Sequence, residues 1–202
     1  AREDINCALK KAEHARGSLR GSNYLLAAEI HALYAQGNEQ LKTQCRKWQD
    51  MATELIYKRK CENDGTFLSF DLYAVHHERA KVLARFSLFY MTDNDLLENL
   101  KQPNIRADAR LIKDAQNALS SAKSHLDLGR NTRVMDYMLT EARIYLIGRE
   151  FEESARITKQ ALQIARVANS QKGLEEAKKL HGMLKSLTPS NPYVRNLGVE
   201  LG

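Results

Sequence analysis

Apolar positions recur three and four residues apart along almost the whole chain, which is the period of the α-helix. Ile5, Ala8, Leu9, Ala12 and Ala15 predict a helix over 3–16, with Gly17 as its terminator. Leu26, Ile30, Leu33 and Tyr34 give one apolar face to a helix over 23–36, which Gly37 and the N-cap Asn38 interrupt. Leu41, Cys45, Trp48, Met51, Ala52 and Leu55 predict a third helix over 39–60, and Asn63-Asp64-Gly65 a turn after it. A long helix follows over about 67–91, then a short one capped by Asp93 or Asn94 and ending at Leu100. Beyond the break at Pro103-Asn104, periodic segments cover 105–127, 132–147, 150–168 and, from the N-cap Ser170, 171–187. Asn191 caps a last helix over 193–201, with Pro192 at its first position. The expectation is an all-α chain of about nine or ten helices forming a single domain over 1–202, with 92–106 as an irregular insertion.

Composition sharpens this picture only a little. Pro occurs three times and Gly ten times, both scarce, which favours continuous helix. The formal charge of +6 permits an acidic or nucleic-acid partner, but the basic residues are spread along the helices rather than gathered in a tail. Cys7, Cys45 and Cys61 are odd in number and far apart, so a reducing, cytoplasmic setting is expected rather than a disulfide framework. No apolar run near 18 residues predicts a membrane span, and no basic leader with an apolar core opens the chain. The chain starts in mid-pattern without an initiator Met, and is expected to be a piece of a longer protein or a processed one.

Catalytic chemistry finds little to stand on. No Gly-rich phosphate loop, nucleophile elbow or paired Cys/His zinc spacing occurs. His76-His77-Glu78 is the densest candidate for metal chemistry, but adjacent helical residues point about 100° apart and chelate one ion poorly. Phe67, Phe70, Tyr73, Phe86, Phe89 and Tyr90 recur at the spacing of a buried face. Lys58-Arg59-Lys60 suits the negative end of a helix dipole. No catalytic, metal or cofactor-binding residue is expected, and the chain reads as a non-enzyme.

The most informative stretch is 138–168. Ala142 and Tyr145 lie on one helix, and Phe151, Ser154, Ala155 and Ala161 on the turn and the helix after it. Small residues at 142, 154 and 161 let the two helices approach closely, and the aromatic pair fills the closed end. This pattern resembles the tetratricopeptide repeat. Weaker echoes are Ala8 with Ala15; His31, Tyr34, Cys45 and Ala52; and Ala80, Leu83, Ala115 and Ala122, a unit split by 92–106. The Trp, Gly and closing Pro of the full motif are absent. The segment 179–197, with its Leu-rich helix, Pro turn and Val194-Arg195, is similar to the ligand-sensing C-terminal regions of bacterial helix-turn-helix regulators.

The resemblance implies a right-handed superhelical array of antiparallel helix hairpins, an α-solenoid whose first helices line a peptide-binding groove. Aligned on the small residues, it places Leu25, Glu29 and Ala32 there from one unit, and His77, Glu78, Lys81 and Arg85 from the next. Asp136, Thr140 and Arg143 come from a third. Lys81, Arg85 and Arg143 would favour an acidic peptide or a carboxylate terminus; as plain amphipathic helices, the same segments would simply show water their charged faces. The expected role is a protein- or peptide-binding module, the regulatory or sensor part of a transcription regulator, that meets DNA only through an upstream domain. A homodimer is compatible with it. The alternatives are a direct nucleic-acid-binding helical protein and a generic scaffold for protein complexes.

Overall fold

In a computed structural model the chain is described over residues 2–15, 17–59 and 70–201, and the described residues are helical with no strand. Ten helices follow one another: α1 (Arg2–Ala12), α2 (Gly17–Ala32), α3 (Glu39–Arg59), α4 (Leu72–Ser87), α5 (Asp93–Lys101), α6 (Ala109–Lys123), α7 (Asn131–Ile147), α8 (Phe151–Val167), α9 (Gln171–Leu187) and α10 (Pro192–Leu201). The turn expected at Asn63-Asp64-Gly65, together with Cys61 and Phe67, lies outside the described residues.

Local chemistry sets most of the boundaries. Gly37 takes φ +64, open to a residue without Cβ, and Asn38 Oδ1 then accepts from Leu41 N at 2.9 Å to start α3. Ser170 accepts from Gly173 N, and Asn191 from Tyr193 N with Pro192 opening α10. Five expectations need correcting. The helix expected over 23–36 is α2, Gly17–Ala32, and that expected over 105–127 is α6, Ala109–Lys123, which Asp108 caps. Gly17 does not terminate α1, which ends at Ala12; it opens α2. The helix expected over 67–91 spans Leu72–Ser87, because Asp71 caps its start and the extended Leu88 ends it. Thr92, rather than Asp93 or Asn94, caps α5 in a box with Asp95.

Packing is by neighbours. α2 lies on α3, α4 on α6, and α7 on α8, while α1 covers α2 and α10 packs on α8 and α9. The first members touch in sequence, α2 to α4, α4 to α7, and α7 to α9. Ala142, Ser154 and Ala161 are fully buried where α7 meets α8, and the Ser154 hydroxyl donates to the Ala142 carbonyl at 2.8 Å. Ala80, Ala115 and Ala122 are equally buried where α4 meets α6. The segment 92–106 holds α5, which skips its sequence neighbours and packs on α9, driving Leu96 and Leu100 into the core.

α2 turns a different face inward from the one its large residues suggest. Leu25, Ala28 and Ala32 are buried, whereas Leu26 and Tyr34 are 46% and 40% exposed. Alanines allow close backbone approach to α3, and Trp48 lies tilted against His31 with ring centres 4.8 Å apart. Leu25, assigned to the groove by sequence, packs instead with Ala52, Ile56 and Val75. No described helix is long and apolar enough to cross a membrane.

Candidate functional site

The row α2–α4–α7–α9 lines a half-open cavity of about 510 Å³. Two helical stripes build its main walls. On α4, Tyr73, His77, Lys81 and Arg85 recur every four residues; on α7, Arg133, Asp136, Thr140 and Arg143 recur at three and four. α2 contributes Glu29 and Ala32, and α9 contributes Lys172, Glu176 and Leu180. Of the ten residues that the repeat register assigns to the groove, nine line this one cavity, Glu29, Ala32, His77, Glu78, Lys81, Arg85, Asp136, Thr140 and Arg143; Leu25 does not.

Its charges are largely matched. Lys81 Nζ lies 2.7 Å from Glu29 Oε1 and 2.8 Å from Glu78 Oε2, so it bridges α2 and α4. Burial alone would lower the Lys81 pKa; Glu78 and Glu29 outweigh that and raise it. Burial works against the Glu78 carboxylate too, but the hydrogen bond from His77 and the Lys81 ammonium hold its pKa well below the ordinary value. Arg143 donates to Asp93 on α5 and to Glu176 on α9, the latter at 3.2 Å. Burial opposes its charge, and Tyr90, Asp93 and Glu176 more than restore it.

The remaining polar groups are held in place as well. His77 Nε2 lies 2.9 Å from Thr140 Oγ1 and 3.4 Å from the Asp136 carbonyl, and the ring stacks on Tyr73 at 5.2 Å. Arg133 bonds Asp71 at 2.6 Å and lies over the Tyr73 ring, whose hydroxyl donates to the Arg133 carbonyl. Arg85 donates to the Tyr90 carbonyl at 2.9 Å, its guanidinium 4.5 Å from the Tyr90 ring centre. Lys81 and Arg143 are therefore not bare cations awaiting an acidic chain; each already sits between two carboxylates.

Sequence reasoning missed Tyr73, Tyr90, Arg133, Lys172 and Glu176. Tyr73 and Arg133 were within reach, since each lies one turn before an assigned residue on the same stripe. Tyr90 sits past the end of α4, and Lys172 and Glu176 require the register to continue onto α9. Among the described residues no group of three or more His, Cys, Asp or Glu side chains is placed to hold a metal ion. His76 points away from His77 and stacks on His125 of the α6–α7 connection, ring centres 5.8 Å apart. The cavity holds ion pairs, hydrogen-bond donors and two tyrosines around apolar walls. Compared with known proteins, the chain matches no family model, no curated protein and no solved structure.

Proposed function

We propose that the chain is a peptide- or protein-binding module of tetratricopeptide type, serving as the sensor or regulatory part of a transcription regulator. The observation that carries this reading is the meeting, on a single cavity, of nine of the ten residues chosen by repeat register. Its volume falls in the range of ligand pockets, roughly 300–1,000 Å³. The stepwise contacts from α2 to α4, α7 and α9 fit successive units of a right-handed superhelix, each lending its first helix to the groove. In this reading the protein is cytoplasmic, carries no cofactor and catalyses nothing. DNA is met by an upstream domain, and a second copy can dock on an open end of the array. The nucleic-acid alternative draws less support from the cavity, where Lys81 and Arg143 are each paired with carboxylates.

A cavity-filling variant tests the reading. Ala74 lines the cavity and is not fully buried. Ala74→Trp should abolish retention on a peptide array; because Ala74 also packs on the cluster of Leu25, Ala52, Ile56 and Val75, the loss counts only where the variant keeps the parent's circular dichroism. Equal retention by parent and variant would remove the groove from the reading. Binding of the chain to DNA that falls steeply with salt would favour direct nucleic-acid binding instead.

A further inference from the structure

We propose that a second cavity, between α6 and α7, binds a small primary ammonium compound that also carries hydroxyl groups, the chemistry of an amino sugar or amino alcohol, with Glu141 as its anchor. This site is separate from the groove and does not depend on the peptide-binding reading.

The cavity is half-open and holds about 560 Å³, a volume within the range of ligand pockets. On α7 its wall is the stripe Tyr137, Glu141 and Tyr145, one residue from each of three successive turns. The stripe begins one residue past Asp136, so it is turned about 100° from the groove stripe of the same helix. α6 supplies Gln116, Asn117 and Ser120. Two exposed charges, Lys123 on α6 and Glu150 at the α7–α8 turn, complete the polar lining.

Two polar groups of this wall have no protein partner. The Glu141 carboxylate is half-buried, yet among the described residues it makes no hydrogen bond and no ion pair. Burial raises its pKa, and the more distant charges of Lys123 and Arg156 offset that only in part. Arg156 is engaged elsewhere, through two hydrogen bonds to Glu153 at 2.9 and 2.7 Å. Tyr137 is 5% exposed, and among the described residues its hydroxyl likewise meets no protein hydrogen-bond partner. A half-buried carboxylate left unpaired costs stability, and such a group in a cleft points to a ligand rather than to the fold.

The chemistry of the wall selects that ligand. An ammonium only donates hydrogen bonds, and here it finds the Glu141 carboxylate and the tyrosine oxygens as acceptors, with aromatic rings on either side. Gln116, Asn117 and Ser120 both donate and accept, which matches hydroxyl groups. An anion would meet Glu141 and Glu150. A metal ion would lack ligands, since no group of three or more His, Cys, Asp or Glu side chains gathers among the described residues.

Titration of the full chain in an amine-free buffer, followed by nitrogen–proton correlation NMR, tests the site. The probes are charged glucosamine, glucose, N-acetylglucosamine and n-hexylamine. Glucosamine should shift resonances of α6 and α7, with glucose and N-acetylglucosamine roughly tenfold weaker for want of the cation. Hexylamine, without hydroxyls, should be weaker by about fivefold. Glu141→Gln should cost glucosamine roughly tenfold and leave the melting temperature equal or higher, because an unpaired charge has been removed. Tyr137→Phe should cost about fivefold. Lys123→Met should tighten binding by removing a competing ammonium. Shifts absent from α6 and α7 overturn the site, and glucose binding as well as glucosamine overturns the ammonium. Hexylamine binding as well as glucosamine overturns the hydroxyl preference. A lower melting temperature for both Glu141→Gln and Lys123→Met would make Glu141 the structural partner of Lys123 and overturn its role as anchor.

Discussion

Lys81 Nζ reaches Glu29 Oε1 at 2.7 Å and so joins α4 to α2 across the cavity wall. The same ammonium holds Glu78 at 2.8 Å. Removing the cation leaves two carboxylates facing each other in a partly dehydrated site, which costs more than an exposed ion pair is worth. Lys81→Met should therefore lower stability by about 2 kcal/mol, seen as a reduced urea midpoint at unchanged slope. The double change Lys81→Met with Glu29→Gln should recover part of that loss.

Acid should weaken the same wall. The Glu78 carboxyl is depressed in the fold below its unfolded value of 4.5 by His77 and Lys81, against the pull of burial. A depressed acid contributes stability that is complete above the unfolded pKa and is lost as pH falls through the folded pKa. Melting temperature should thus decline from about pH 4.5 downward, and Glu78→Gln should flatten that slope. An identical slope in the variant would assign the acid sensitivity to other carboxylates.

Arg143 is tied to α5 through Asp93 and to α9 through Glu176. Arg143→Glu would set three carboxylates together, so its main effect should be on the fold. A loss of about 3 kcal/mol or more is expected, with Arg143→Met milder. Hydrogen exchange should show α5 losing protection first, since Asp93 stands at its start.

The α7–α9 contact depends on a glycine. A Cβ at Gly173 would fall 2.1 Å from Met135 Sδ and 3.0 Å from Ala165 Cβ, and Met135 is buried. Gly173→Val should cost about 1–3 kcal/mol through overpacking. Pairing it with Met135→Ala should return part of the loss, because the obstructing atoms are those of one flexible side chain.

Thiol chemistry should separate two cysteines. Cys7 is exposed, whereas Cys45 is buried and its pKa is pushed up by burial to about 11. At pH 8 iodoacetamide should label Cys7 in the native protein and Cys45 only after unfolding, as peptide mapping would show. Labelling of native Cys45 at the rate of Cys7 would mean that the α2–α3 packing opens readily.

The helices were legible because their signals are local. Ser170, Asn38 and Asn191 satisfy the first N–H groups of their helices in any surroundings, and residues three or four apart share a face wherever the helix lies. That is why the repeat resemblance, once aligned, placed the α4 and α7 stripes on one face each, and why Ala142, Ser154 and Ala161 marked a close crossing. Leu26 misled for the complementary reason: on α2 the choice of inner face depended on how near α3 could approach, and alanine made that face the closer one, while Tyr34 lies past the end of the helix.

What the sequence by itself determined is the helical content, the caps Asn38, Ser170 and Asn191, and which charged residues share a face, since each follows from the backbone period and from contacts within a few residues. Only the tertiary structure decided that α5 crosses to α9, that Arg143 meets Asp93 from 50 positions away, and that Lys81 is closed between Glu29 and Glu78 while Arg85 has no carboxylate partner among the described residues. Those pairings depend on where separate helices come to rest against one another, which is fixed by the fit of buried surfaces across the whole array rather than by any spacing along the chain.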